Sequence, residues 1–391
     1  MTCARGAVAI ACWCLYTACG SDHGGSNTPS APANALTLSI GTSNVCTNVN
    51  EPCAAVTVCQ PGTATCQTIS DLLVDVGSVG LRIFRSVLSV PLSQAVDSQG
   101  RALGECIFFA DGGTEWGPVQ MADVVLGGSP PARVPVHVID PAFAGQSVSQ
   151  NPCNSTVDAD PQAARFNGII GLGLFRQDCG PVCANHDNNN LYFSCVAGSC
   201  ASTAVPLSGQ VQHPVWVLPA GNNGIVMSLP NVPATGGATV FGSVLIGIGT
   251  GTNNMPAAGV SVLSTDATGV LTTVYKGKPI TTSIIDSGSN GLFFPDASIS
   301  SCAAPLQAFY CPPNPLNLSA TIVGTNGQQV VVPFQVGNTQ SLVQTGNAVF
   351  NNLGGELSAF DWGLPFFLGR TVYIGIEGQS SPLGTGPFFA F

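Results

Sequence analysis

The sequence predicts an all-β protein built as two related halves, and three observations predict it. The chain of 391 residues contains 47 Gly and 29 Pro, only 8% of it is charged, and no heptad or amphipathic helical pattern stands out. Val, Thr, Ile and Leu instead recur in short runs bounded by Gly and Ser, the pattern of buried strands. One unusual strand end occurs twice. Leu72-Leu73-Val74-Asp75-Val76-Gly77-Ser78-Val79-Gly80-Leu81 and Ile284-Ile285-Asp286-Ser287-Gly288-Ser289-Asn290-Gly291-Leu292 share Asp, Gly, Ser, Gly and Leu at matching places. The length is ample for two cores, and a formal charge of −10 without a basic stripe argues against nucleic acid or an anionic membrane surface as a partner.

In chain order, residues 1–18 carry one early cation, Arg5, and then an apolar run too short to span a bilayer as a helix, which reads as a secretion signal. Thr17-Ala18-Cys19-Gly20 resembles a bacterial lipoprotein processing site, although Tyr16 stands where Leu is usual. The resemblance implies lipidation of Cys19 and an outer-membrane destination, with a periplasmic or secreted location as the alternative. Residues 19–35, mostly Gly, Ser, Pro, Ala and Asn, read as a flexible tether. An N-terminal lobe is expected over residues 36–250 and a C-terminal lobe over residues 251–391.

Of 16 Cys, four (Cys3, Cys12, Cys14 and Cys19) fall in or just after the leader, leaving an even twelve in an exported chain, for which disulfides are the expectation. A Pro61-Gly62 turn between two strand-like runs sets Cys59 opposite Cys66, and Cys302 and Cys311 form a second local pair. Cys179, Cys183, Cys195 and Cys200 lie in an insert, residues 179–200, whose connectivity the spacing leaves open. Their spacing does not suit a zinc ribbon, so neither a metal nor a cofactor is expected. His23, His137, His186 and His213 are scattered and read as surface or turn residues.

Residues 105–119 read as strand, Gly-rich turn and strand, with Asp111, Gly112 and Gly113 at the turn and Phe109 and Trp116 as nearby aromatics. Each repeated acid sits where a buried run ends, a place where Asp bonds nearby amides and the Gly two residues later tolerates positive φ. Two strand-end turns need no partner in a distant half. Two carboxyls brought face to face, by contrast, can share one proton.

The DVGS and DSGS stretches resemble the active-site loops of pepsin-like aspartic proteases, bilobal β proteins in which each lobe contributes one Asp. Phe166-Asn167-Gly168-Ile169-Ile170-Gly171-Leu172-Gly173 and Phe360-Asp361-Trp362-Gly363-Leu364-Pro365 resemble the apolar element that threads beside each loop in that family, with Gly168 and Gly363 at comparable distances from the two acids. More narrowly, the insert and the IIDSGSNGLFFPD wording resemble an uncharacterised bacterial family of secreted proteins.

The protease resemblance implies peptide-bond hydrolysis by Asp75 and Asp286, with Ser78 and Ser289 orienting the carboxylates and the hairpin at Asp111, Gly112, Gly113 and Trp116 covering a peptide or protein substrate. It implies a monomer that meets a membrane only through its lipid. Two departures stand out: the hairpin lacks the family's Tyr, and Val76 replaces one of two hydroxyls that lock the loops together, leaving Ser287 alone. A pseudo-protease that binds peptide in the envelope, or a surface lipoprotein whose acids merely close strands, are the alternatives.

Overall fold

The structure, a computed structural model, describes residues 32–391 except residue 111. The expected leader, Cys19 and most of the tether lie outside the described residues. Residues 32–391 form one compact unit that is mostly β, with barrel-like sheets and only short helical turns. No helix among the described residues is long and apolar enough to cross a membrane.

A sheet of sixteen strands begins at Ser199–Ser202, passes through Ala102–Phe108, Thr114–Val125, Val79–Phe84, Gly168–Leu172 and Cys66–Asp75, and ends at Arg370–Gly375, Phe388–Ala390 and Val262–Ser264. A second sheet of seven strands carries Lys278–Ile285, Leu292–Phe293 and Phe360–Trp362. Two strands flanked on both sides are apolar but for one residue, Arg82. Val79–Phe84 and Gly168–Leu172 are buried at every position, as expected where both faces are covered. The core joins Leu38, Val74, Leu81, Val134 and Ile374 of the first sheet to Phe360 and Trp362 of the second and to Phe294, just beyond its strand Leu292–Phe293. Phe360 stacks on Trp362 at a centroid distance of 4.4 Å and on Phe294 at 5.2 Å. Each such fully buried ring contributes about 1.5–3 kcal/mol by burial alone.

All twelve cysteines of the described residues are paired. Cys59–Cys66 and Cys302–Cys311 form as expected, and the insert closes as Cys179–Cys183 and Cys195–Cys200. Cys46–Cys53 and Cys106–Cys153 complete the set. Six disulfides point to an oxidising, exported environment.

The hairpin of residues 105–119 is present, with its strands at Ala102–Phe108 and Thr114–Val125. Its first strand is also paired on the far side to Tyr192–Val196 of the insert, and Cys106–Cys153 ties it to a neighbouring loop. Trp116 does not face a cleft: it is fully buried against Phe143 and Phe193 beside that disulfide, because its strand position points into the sheet's covered face. Phe108, beside the turn, is half exposed instead. Gly112 and Gly113 form the turn, where Phe109 N–H donates to Gly113 O. Asp111 lies outside the described residues.

Two histidines correct the sequence reading. His137 and His213 are fully buried, since strand pairing carries the first, and a tight turn the second, into the interior.

Candidate functional site

The two acid-bearing stretches fold on one plan. Leu72 to Asp75 run parallel to Gly168 to Gly171, which also pair antiparallel with the strand leaving the turn, Val79–Phe84. Ser283 to Ile285 likewise run parallel to Phe360–Trp362, which pairs antiparallel with Leu292–Phe293. In each copy a third strand is thus threaded between the two arms of the loop. The register matches Gly171, not Gly168, with Gly363, and it matches Ile169 with Asp361. A Cβ on Gly363 would lie 2.1 Å from Gly291 O and one on Gly171 2.6 Å from Val79, so the closeness of the threaded strand requires glycine at both places.

This doubled construction brings Asp75 and Asp286 together. A Cβ on Gly77 would lie 2.7 Å from Cγ and Oδ1 of Asp286, and one on Gly288 2.9 Å from Cγ of Asp75. Gly77 and Gly288 are therefore needed to let the opposite carboxyl approach. Neither adopts positive φ, so the expected conformational reason gives way to a steric one. Each acid accepts from its own turn, Gly77 N–H to Asp75 Oδ1 and Gly288 N–H to Asp286 Oδ1, both at 2.7 Å. Asp75 is buried, whereas Asp286 keeps an edge open to solvent beside exposed Gly77.

The supporting hydroxyls are unequal. Ser289 donates to Asp286 Oδ2 at 2.8 Å, but the buried Ser78 hydroxyl has no hydrogen-bond partner among the described residues. Ser287 accepts from Val76 N–H at 3.1 Å and donates to Val74 O at 2.7 Å, crossing between the two loops. Val76 packs into the core and returns no hydroxyl. Ser287→Ala is therefore expected to lose both buried bonds and about 1–3 kcal/mol of stability, read as a lower denaturant midpoint. An unchanged midpoint would refute this role.

Sequence reasoning missed two further members. Asn50, fully buried with φ of 57°, donates to Asn290 O at 2.7 Å and Phe350 O at 2.9 Å and accepts from Phe350 N–H, pinning the loop that carries Asp286. Asp361, 3% exposed, lies on the threaded strand opposite Ile284, and Ser289 is among the groups that act on its carboxyl. Its only textual signal was an acid inside the apolar run FDWGLPFF.

The electrostatics favour protonated carboxyls. Burial, then the charges of Asp75 and Asp361, push Asp286 well above the usual carboxylate range. Burial, reinforced by Asp75 and partly offset by Ser289, pushes Asp361 up to about 7. A raised carboxyl stabilises the fold fully below its unfolded value, and that stability is lost as pH rises through its folded value. The stability of the wild type relative to Asp361→Asn is therefore expected to decline between about pH 4 and pH 7, by at most about 1.4 kcal/mol per pH unit. Thermal unfolding of both proteins across that range checks it, and a constant difference would refute it. His137 and His213, lowered by burial to about 4, act oppositely in both proteins and cancel in the comparison.

One grouping of metal-ligating types occurs among the described residues, Cys46, Glu51 and Cys53, and its two sulfurs are joined in a disulfide, so they are not thiolate ligands. A family model described as "Protein of unknown function (DUF3443)" matches residues 30–391. No curated protein matches the chain.

Proposed function

The chain belongs to the DUF3443 family, whose description leaves function open, and we propose that it is an exported aspartic endopeptidase of pepsin-like, two-lobed plan. The observation that carries this reading is the pair itself: two strand-end carboxyls, presented by loops of the same construction, held against one another. Lobes of residues 36–250 and 251–391 would each supply one acid. The hairpin of residues 105–119 would border the peptide, with Phe108 rather than Trp116 available to it. Attachment through Cys19 would keep the enzyme at the cell envelope.

In the proposed reaction one water lies between the acids. Ionised Asp75 takes a proton from it as its oxygen attacks the peptide carbonyl carbon, and Asp286 gives its proton to the carbonyl oxygen. The resulting neutral gem-diol collapses with breakage of the C–N bond and transfer of a proton to the leaving amine. Sharing of one proton between two Asp is the established behaviour of aspartic proteases. Burial and the charge of Asp75 favour Asp286 as its holder here.

A second reading, a pepsin-like protein that binds peptide without turnover, is favoured by Val76 and by the unpartnered Ser78 hydroxyl. A peptide-library assay from about pH 3 to pH 8, spanning the titrations of such a pair, separates the two. Cleavage blocked by a statine-type mimic of the gem-diol is the expected result. A folded protein that cleaves nothing, yet binds the mimic as tightly with Asp75→Asn as without it, would replace the first reading by the second.

A further inference from the structure

We infer that Asn50 is a positioning residue of the Asp75–Asp286 pair, and that the loop carrying it, closed by Cys46–Cys53, is a strut that sets the Asp286 turn against the Asp75 turn. Its effect on turnover rests on the peptidase reading; the strut itself rests on hydrogen bonds alone. Residues 50–52 reach both halves. The Asn50 side chain holds the second copy: Nδ2 donates to Asn290 O at 2.7 Å and to Phe350 O at 2.9 Å, while Oδ1 accepts from Phe350 N–H at 2.7 Å. Its own N–H donates to Ala348 O at 2.8 Å. Pro52 O holds the first copy, accepting at 2.8 Å from the N–H of Val74, the residue before Asp75.

The two copies differ in where this support comes from. Val79 and Asn290 each stand four residues after the acid. Val79 O accepts from Arg82 Nη1 at 2.6 Å, a bond made within its own copy. Asn290 O is served instead by Asn50, 240 residues upstream, so the second turn is complete only when the first half is in place. The other tie between the turns is Ser287, which bonds Val74 O and Val76 N–H. Val76 has no hydroxyl to return, and the loop supplies the second tie. Val74 is the junction of both, with its N–H on Pro52 and its C=O on Ser287. Asn suits position 50 on two counts: it tolerates the φ of 57°, and its amide meets a peptide group with a donor and an acceptor at once.

The test is amide hydrogen exchange of the full-length protein, read residue by residue by NMR, which needs no turnover. Asn50→Gly keeps the positive φ and removes the side-chain bonds. It should speed exchange at Gly288 N–H and, across the contact, at Val76 N–H by about tenfold or more beyond any change in the strand Ala132–Ile139, whose amides report global opening. Cys46→Ala/Cys53→Ala keeps Asn50 but opens the loop, and is a second variant that should expose the same two amides. Exchange that rises only with the global reference, or failure of both variants to fold, assigns the loop to stability alone and overturns the inference. On a cleaved peptide, Asn50→Gly should lower kcat by about 10–100-fold with KM nearly unchanged, as misplaced acids would. Cleavage that Asn50→Gly leaves unaltered sinks the strut and leaves the peptidase reading standing. Faster exchange at both amides in a protein that cleaves nothing does the reverse.

Discussion

Asp75→Asn and Asp286→Asn should each lower peptide cleavage by about 10³-fold while the protein stays folded. The chemistry sets the size of the loss. Asn at position 75 cannot take a proton from water, and Asn at position 286 cannot give one to a carbonyl oxygen, so each variant removes a step that the other acid cannot perform. Packing sets the mildness of the structural effect. Both side chains accept from the N–H two residues on through Oδ1, a bond an Asn oxygen also makes. Asp286 is moreover held toward its neutral form by burial and by Asp75, so a neutral amide there changes no charge in the resting site. Rates on a cleaved library peptide, measured beside the unfolding midpoint, check both parts. Either variant retaining more than about a tenth of wild-type cleavage would remove its acid from the mechanism.

Arg82→Met should produce the largest stability loss from a single surface-distant residue, about 3–5 kcal/mol. The Arg82 side chain is completely buried, with Nη2 at 3.3 Å from Glu105 Oε1 and 3.4 Å from Asp178 Oδ2, and Nε at 4.0 Å from Glu115 Oε2. His137 Nδ1 lies 3.4 Å from Glu105 Oε2, and the Tyr192 hydroxyl donates to Asp178 at 2.7 Å. Burial would raise Glu105, but Arg82 and then His137 overcome it and hold that carboxyl low. Asp178, buried beside Glu105, is pushed well above its ordinary value. Arg82 thus neutralises a buried carboxylate, and Met would fill its volume without its charge. Because Arg82 follows the Asp75 turn while Glu105 and Glu115 belong to the hairpin, the loss should also loosen the hairpin against that turn. Chemical unfolding reads the first effect and amide exchange over residues 105–119 the second. A midpoint shift worth less than about 1 kcal/mol would show that the cluster contributes little.

The strand–acid–turn–strand units were legible because runs such as Leu72-Leu73-Val74 and Ile284-Ile285 can only be buried strands, and a repeated small-residue turn marks their ends. Local disulfides were legible for a similar reason, since a Pro-Gly turn fixes which Cys face each other. Cys106–Cys153 was not, because it joins segments brought near only by tertiary folding. The buried charges were hidden as well. Arg82, Glu105, Glu115 and His137 are single polar letters in separate strands, and nothing local shows that strand pairing aims them at one point. Asp361 escaped because its apolar neighbours matched the pattern sought, and a pattern of apolar residues says little about the one position that breaks it.

The disulfides have a consequence for how the protein is made. Every cysteine in the described residues is joined to the next one along the chain, across separations of 7, 7, 47, 4, 5 and 9 residues. A chain entering an oxidising compartment N-terminus first meets each partner before the following pair emerges. An oxidant that simply joins thiols in order of arrival therefore produces the native set, and no bond made early has to be undone later. Five of the six cross-links span fewer than ten residues and constrain the unfolded chain less than Cys106–Cys153, which spans 47; what the set provides is assembly without a proofreading step, ahead of the distant meeting of Asp75 and Asp286 on which the site depends.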